Sequence, residues 1–82
     1  MKKILYFTAA WCAPCKALSP VMDSLQGQIN FDKIDVDTNT DLSAQYGVRG
    51  VPSLILVENG NEVSRLVGVQ SKESILNFYT NS

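Results

Sequence analysis

Residues 4–16 read Ile4-Leu5-Tyr6-Phe7-Thr8-Ala9-Ala10-Trp11-Cys12-Ala13-Pro14-Cys15-Lys16. The first four form a continuous apolar run rich in β-formers, the pattern of a strand covered on both faces as in an α/β sheet. From Cys15 the apolar residues recur at Leu18, Met22 and Leu25, spacings that trace one face of a helix. A strand feeding a helix is half of a βαβ unit. Pro20 falls inside the helix, where it lacks the N–H for the usual backbone bond and is expected to kink it. Gly27 is expected to end it.

Working outward, Phe31 to Val36 interleaves Phe31, Ile34 and Val36 with Asp32, Lys33 and Asp35, which predicts a second strand. Asn39 or Thr40 then caps a short helix closed by Gly47. A helical connection of this length implies that the first two strands are parallel. Ser53 to Val57 predicts a third strand, Asn59-Gly60 is a strong hairpin signal, and Glu62 to Val67 returns antiparallel until Gly68 breaks the ladder. Ser71 is an N-cap candidate with Glu73 in the first turn, opening a last helix whose Ile75, Leu76, Phe78 and Tyr79 face the sheet. The order is β-α-β-α-β-β-α, without repeats, low-complexity tracts or linkers.

At 82 residues the chain is expected to form a single domain, residues 1–82. So short a chain hides only about 60% of the surface its unfolded form exposes, so its stability is marginal without reinforcement. Cys12 and Cys15 are poor staples, since closing a four-residue loop contributes only about 2 kcal/mol. Their presence points to chemistry. The absence of histidine excludes Ser-His-Asp and Cys-His catalysis, Cys2His2 fingers and the c-type haem motif. Two cysteines also cannot build a four-thiolate zinc or iron–sulfur site in one chain. Asp32, Asp35, Asp37 and Asp41 lack the glycine and terminal glutamate of a calcium loop and read as a solvated edge. No metal ligand set is expected.

A net charge of -1, with scattered basic residues, leaves no electrostatic footprint for nucleic acid or an anionic membrane. No run approaches the roughly 20 apolar residues of a membrane span. Met1-Lys2-Lys3 followed by Ile4 to Ala10 has the outline of a signal peptide, but the apolar run is minimal and its removal would take the first strand. A cytoplasmic location is expected.

Cys12 stands where the first strand gives way to the helix. Free N–H groups and the helix dipole favour an anion there, and a thiolate is the anion available. An interaction of up to about 2 kcal/mol can move a thiol from about 8.5 towards 7, at about 1.36 kcal/mol per pKa unit. Cys15 lies one turn further on, on the apolar stripe, and is expected to be the buried sulfur. The pattern predicts an ordered reaction in which the Cys12 thiolate attacks a disulfide and Cys15 resolves the mixed disulfide. A Cys12–Cys15 disulfide is left for an external donor to reduce, with no bound cofactor.

Trp11-Cys12-Ala13-Pro14-Cys15-Lys16 resembles the Trp-Cys-Gly-Pro-Cys-Lys motif of thioredoxins. Lys33-Ile34-Asp35-Val36-Asp37 is similar to that family's second core strand, and Tyr46-Gly47-Val48-Arg49-Gly50-Val51-Pro52-Ser53 to the segment leading to its cis-proline. The likeness runs from Ile4 into the last helix. It implies a thioredoxin-like fold, a four-stranded mixed sheet of order 2-1-3-4 with helices on both faces. It also implies a protein-disulfide reductase with a cis Val51–Pro52 bond facing the dithiol, whose exposed Val51 backbone lets an extended substrate add strand-like hydrogen bonds. Trp11, Ala13, Pro14, Gly50, Val51 and Gly68 would form an apolar collar, Pro52 would face the site, and Asp37 would reach the Trp11 indole. Expected partners are protein disulfides and a reductase such as thioredoxin reductase, with the chain a monomer.

Three departures from the family pattern bear on tuning. Tyr6 stands where thioredoxins usually carry a buried aspartate that takes the proton of the resolving cysteine. With a reference pKa near 10, a tyrosine packs or donates a hydrogen bond. Lys33, which matches that aspartate's lysine partner, is then expected to act through its charge. Thr8 removes an aromatic wall, and Ala13 in place of glycine stiffens the turn into the helix. The usual preceding strand and helix have no counterpart before Ile4, so a compact core is expected, with the sheet edge they would cover left weak or open to a partner.

Two other readings stand beside this one. A glutathione-coupled, glutaredoxin-like oxidoreductase shares the compact core, but the Cys-Pro-Tyr-Cys pattern is absent and Gly50 stands where glutathione-binding members commonly have threonine. A thioredoxin-fold binding or assembly module would not use its thiols at all.

Overall fold

A computed structural model describes residues 1–81. The order is β1 (Lys2–Thr8), α1 (Ala13–Ser24), β2 (Phe31–Asp35), α2 (Thr40–Gln45), β3 (Ser53–Glu58), β4 (Asn61–Val67) and α3 (Lys72–Thr80). The strands form one sheet of order β2-β1-β3-β4. β1 runs parallel to β2, with Ile4 opposite Phe31 and Thr8 opposite Asp35. It runs antiparallel to β3, with Tyr6 opposite Leu54. The expected thioredoxin-like topology is therefore present.

The central position of β1 explains its unbroken apolar sequence, because successive side chains enter opposite layers. Ile4 and Tyr6 pack with Leu18 and Met22 of α1, Leu54 and Leu56 of β3, and Ile75 of α3. Leu5 and Phe7 pack on the other face with Ile34, Ile55 and Val57, against Leu42 of α2. Each fully buried side chain of this size contributes about 1.5–3 kcal/mol relative to exposure. Two layers of helix thus pin β1, and its C-terminal end is held fixed where the chain turns towards the cysteines.

Local chemistry accounts for the ends. Ser71 caps α3 by accepting the Ser74 N–H at 3.1 Å. Asn59 and Gly60, with φ of 53° and 85°, turn the β3–β4 hairpin, the left-handed pair that matches strand twist. Asn39 precedes α2, but its side chain makes no capping bond there. Its amide instead donates to the Asp35 carbonyl at 2.9 Å.

Several boundaries differ from expectation. α1 ends at Ser24, three residues before Gly27, which turns the chain onward at a φ of 86°. Pro20 lies within α1, which continues past it. β2 stops at Asp35, although the Val36 N–H still donates to the Thr8 carbonyl at 3.0 Å. Phe31 does not share a face with Ile34 and Val36: it packs in the α1–α3 layer, while they belong to the α2 layer. An odd sequence spacing places side chains on opposite faces of a strand, so Phe31 keeps company with Lys33. No helix among the described residues is long and apolar enough to cross a membrane.

Candidate active site

Cys12 is the N-cap of α1, with extended backbone (φ -91°, ψ 112°). Its Sγ accepts the Cys15 N–H at 3.2 Å. Pro14 occupies the first turn, where a missing N–H costs nothing and the fixed φ suits the helix. The Cys15 N–H is thereby left aimed at the Cys12 sulfur. The two cysteines are joined in a disulfide, with Cα atoms 5.2 Å apart. Cys15 is fully buried, while Cys12 keeps 5% exposure, so the residual surface of the pair belongs to Cys12.

Val51 stands across from Cys12, its carbonyl oxygen 3.6 Å from Sγ. The disulfide carries no S–H, so this is a contact in the oxidised form. In the dithiol, a protonated Cys12 can donate to that carbonyl and a thiolate cannot. The Cys15 N–H and the helix end favour the anion, and the Val51 carbonyl opposes it. The Val51–Pro52 bond is cis. Ser53 Oγ donates to the Gly50 carbonyl at 2.6 Å, and the Gly68 N–H donates to the Pro52 carbonyl at 2.9 Å. These two bonds tie the loop to the sheet and hold Val51 against the sulfur. Gly68 has a φ of 92°, in the left-handed region where a side chain would be strained.

Trp11 is 69% exposed, and its Nε1 donates to Asp37 Oδ2 at 2.9 Å. A groove of about 130 Å³ runs between Trp11 and Val51, lined also by Val36, Val48, Arg49 and Gly50. Ala13 and Pro14 are exposed beside Cys12. Pro52 is buried, so it meets the site through its link to Val51 and offers no surface of its own.

Beneath the disulfide, Tyr6 is fully buried. Its hydroxyl donates to the Cys15 carbonyl at 3.2 Å and lies 3.0 Å from Ser19 Oγ. Tyr6 thus braces the first turns of α1 from below. Lys33 pairs with Asp23 at 3.4 Å, and its Nζ lies 5.9 Å from the Tyr6 ring centre. An open cleft of about 360 Å³ on this side is lined by Thr8, Cys15, Lys16, Ser19, Lys33 and Asp35, among others.

The structure brings together the cysteine pair, Trp11, Asp37 and the Val51 loop, and adds beside them residues not singled out for the site in the sequence: Val36, Val48 and Arg49 in the groove and Ser19 beneath Tyr6. Arg49 and Val48 carry no local signature; only their place just before Gly50-Val51 could have drawn attention to them. Lys33, expected to act through its charge in the absence of the family's usual aspartate, pairs with Asp23 of α1.

A strand-to-helix Cys-x-x-Cys whose first sulfur caps the helix and whose second is buried defines a thiol–disulfide oxidoreductase of the thioredoxin fold. The family model described as Thioredoxin matches residues 1–81, and the chain belongs to the thioredoxin family. It is 42% identical over 79 residues to a thioredoxin of Haemophilus influenzae, covering 92% of this chain and 74% of that protein. A thioredoxin of Chlamydia caviae is 40% identical over 76 residues, covering 89% of this chain and 74% of the relative. Among solved structures, a mutant thioredoxin of Halobacterium salinarum superposes with a TM-score of 0.91 at 39% identity, covering 98% of this chain and 73% of that one. The protein is a protein-disulfide oxidoreductase whose redox-active group is the cysteine pair itself.

Proposed function

We propose that Cys12 is the attacking thiolate and Cys15 the resolving thiol of a protein-disulfide reductase. The observation that carries this is the asymmetry of the pair: Cys12 Sγ caps α1 and accepts the Cys15 N–H at 3.2 Å, while Cys15 is buried. The Cys12 thiolate attacks one sulfur of a client disulfide, forming a mixed disulfide and releasing the other client sulfur as a thiolate, which takes a proton from water. Cys15 then gives its proton to water and attacks Cys12 Sγ, expelling the second client thiolate, which takes a proton from water in turn. The client gains two electrons and the dithiol loses two.

Trp11, Ala13, Pro14, Gly50, Val51 and Gly68 act as the substrate-binding collar, with the Val51 backbone as a short edge for an extended client segment. Pro52 fixes that edge. Tyr6, Lys33 and Asp37 tune the site, Tyr6 through the Cys15 carbonyl and Asp37 through the Trp11 indole. The chain works as one domain over residues 1–82, as a cytoplasmic monomer, and is recharged by a reductase such as thioredoxin reductase.

Insulin-disulfide reduction with thioredoxin reductase and NADPH, or with glutathione, tests this reading. Turnover with the reductase, abolished by Cys12→Ser, is the expected result. Turnover with glutathione alone would instead favour the glutathione-coupled reading. Failure with both donors, by a protein whose cysteines still oxidise and reduce, would direct attention to a binding module.

A further inference from the structure

The groove beside Cys12 contains a cation with no partner. Of the seven basic residues, Lys3, Lys33 and Arg65 are in ion pairs, and Lys2 Nζ donates to the Tyr79 carbonyl at 2.7 Å. Arg49 is exposed and makes no ion pair or side-chain hydrogen bond among the described residues. It lines the groove with Trp11 and Val51. Asp37, the carboxylate that holds the Trp11 indole at 2.9 Å, makes no ion pair with Arg49.

An extended client that pairs with the Val51 backbone must run along the chain that leads to it, past Gly50 and Arg49. Side chains within one or two residues of the client cysteine then come within reach of the guanidinium. A guanidinium recognises carboxylates through paired N–H donors, and an unpaired one beside a low-polarity wall attracts anions more strongly than a surface cation in a mixed field.

We infer that Arg49 makes the groove selective for client segments carrying Asp or Glu within two residues of the reducible cystine. This rests on the proposed reductase reading of the same site. The apolar wall of Trp11, Val36, Val48 and Val51 accepts the client backbone and its cysteine, and Arg49 sets the preference among clients. Cationic segments are turned away by like charge.

The test compares three cystine peptides that differ only in Glu, Gln or Lys at the residues flanking the disulfide, reduced by the dithiol protein at low salt. The Glu peptide should be reduced with a kcat/KM about threefold to tenfold above that of the Lys peptide. The ratio should shrink towards one at about 0.5 M salt, where the screening length falls to a few ångströms. Arg49→Gln should bring the low-salt ratio close to one, and Arg49→Glu should invert it. Equal rates for all three peptides, or a ratio that Arg49→Glu leaves in place, would overturn the inference while leaving the reductase reading intact. Reduction of none of them would overturn both.

Discussion

The Tyr6 hydroxyl hydrogen bonds to the Cys15 carbonyl at 3.2 Å, joining the centre of the sheet to the first turn of α1 directly under the dithiol. Ser19 Oγ, half-buried and 3.0 Å from the same hydroxyl, completes a three-group network. At this position the chain places a phenol hydroxyl that bonds to the backbone. The bond ties β1 to the turn of α1 that carries the Cys15 N–H facing Cys12.

Tyr6→Phe keeps the ring in the core and removes only the hydroxyl. The variant should be destabilised by about 1–2 kcal/mol, because the Cys15 carbonyl and Ser19 lose a buried partner. Urea unfolding of the oxidised protein measures this. A variant as stable as the parent would show that the hydroxyl does not brace α1.

Cys15→Ser should trap a client on Cys12. Incubated with insulin or a small aromatic disulfide, this variant should accumulate a stable mixed disulfide, readable as a mass increment, whereas Cys12→Ser should form little or none. Equal trapping on either cysteine would contradict the assigned order of attack.

Asp37→Ala should release the Trp11 indole N–H, which Asp37 accepts at 2.9 Å, and let the ring sample other rotamers. Reduction of protein disulfides should slow by about threefold to tenfold, the kinetic equivalent of about 1 kcal/mol lost from one charge-assisted hydrogen bond. Asp37→Asn retains an acceptor and should recover much of the rate. Tryptophan fluorescence, from the only tryptophan in the chain, reports the freed ring directly.

Leu18→Ala should be among the most damaging core changes. Leu18 is fully buried between Tyr6, Met22 and Leu54, and truncations of this kind cost about 2–5 kcal/mol. In so small a core that approaches the whole stability. Thermal unfolding should show a large fall in midpoint, and a fall of only a degree or two would mean that the layer collapses to fill the space.

A milder pH effect belongs to Glu62, whose carboxyl is held below its ordinary value by the hydrogen bonds from Arg65. Because the folded value lies below the unfolded one, the stabilisation is complete above the ordinary carboxylate range and is lost as pH falls through the folded value. Glu62→Gln should flatten the acid side of the stability profile slightly, the pair being partly exposed and screened.

Much of this architecture can be read locally. The run Ile4 to Phe7 already announces a central strand, Leu18, Met22 and Leu25 one helix face, and Asn59-Gly60 a hairpin, because each depends on neighbours in sequence. What escaped depends on register between distant segments. Phe31 reads as alternating with Ile34 only if its odd spacing is overlooked. Ser19 gains its role when Tyr6 crosses beneath α1, and Arg49 when the loop after α2 folds over Trp11. Asp23 reaches Lys33 across the α1–β2 boundary, a contact that no spacing rule encodes.

The central claim is that capping α1 makes Cys12 the reactive thiolate and leaves Cys15 protected. Alkylation of the reduced protein by iodoacetamide as a function of pH, with the modified residue identified by mass, tests it most directly. The expected result is modification at Cys12 alone, with an apparent pKa below the ordinary thiol value of about 8.5. Labelling of Cys15 first, or titration of Cys12 at 8.5 or above, would contradict it.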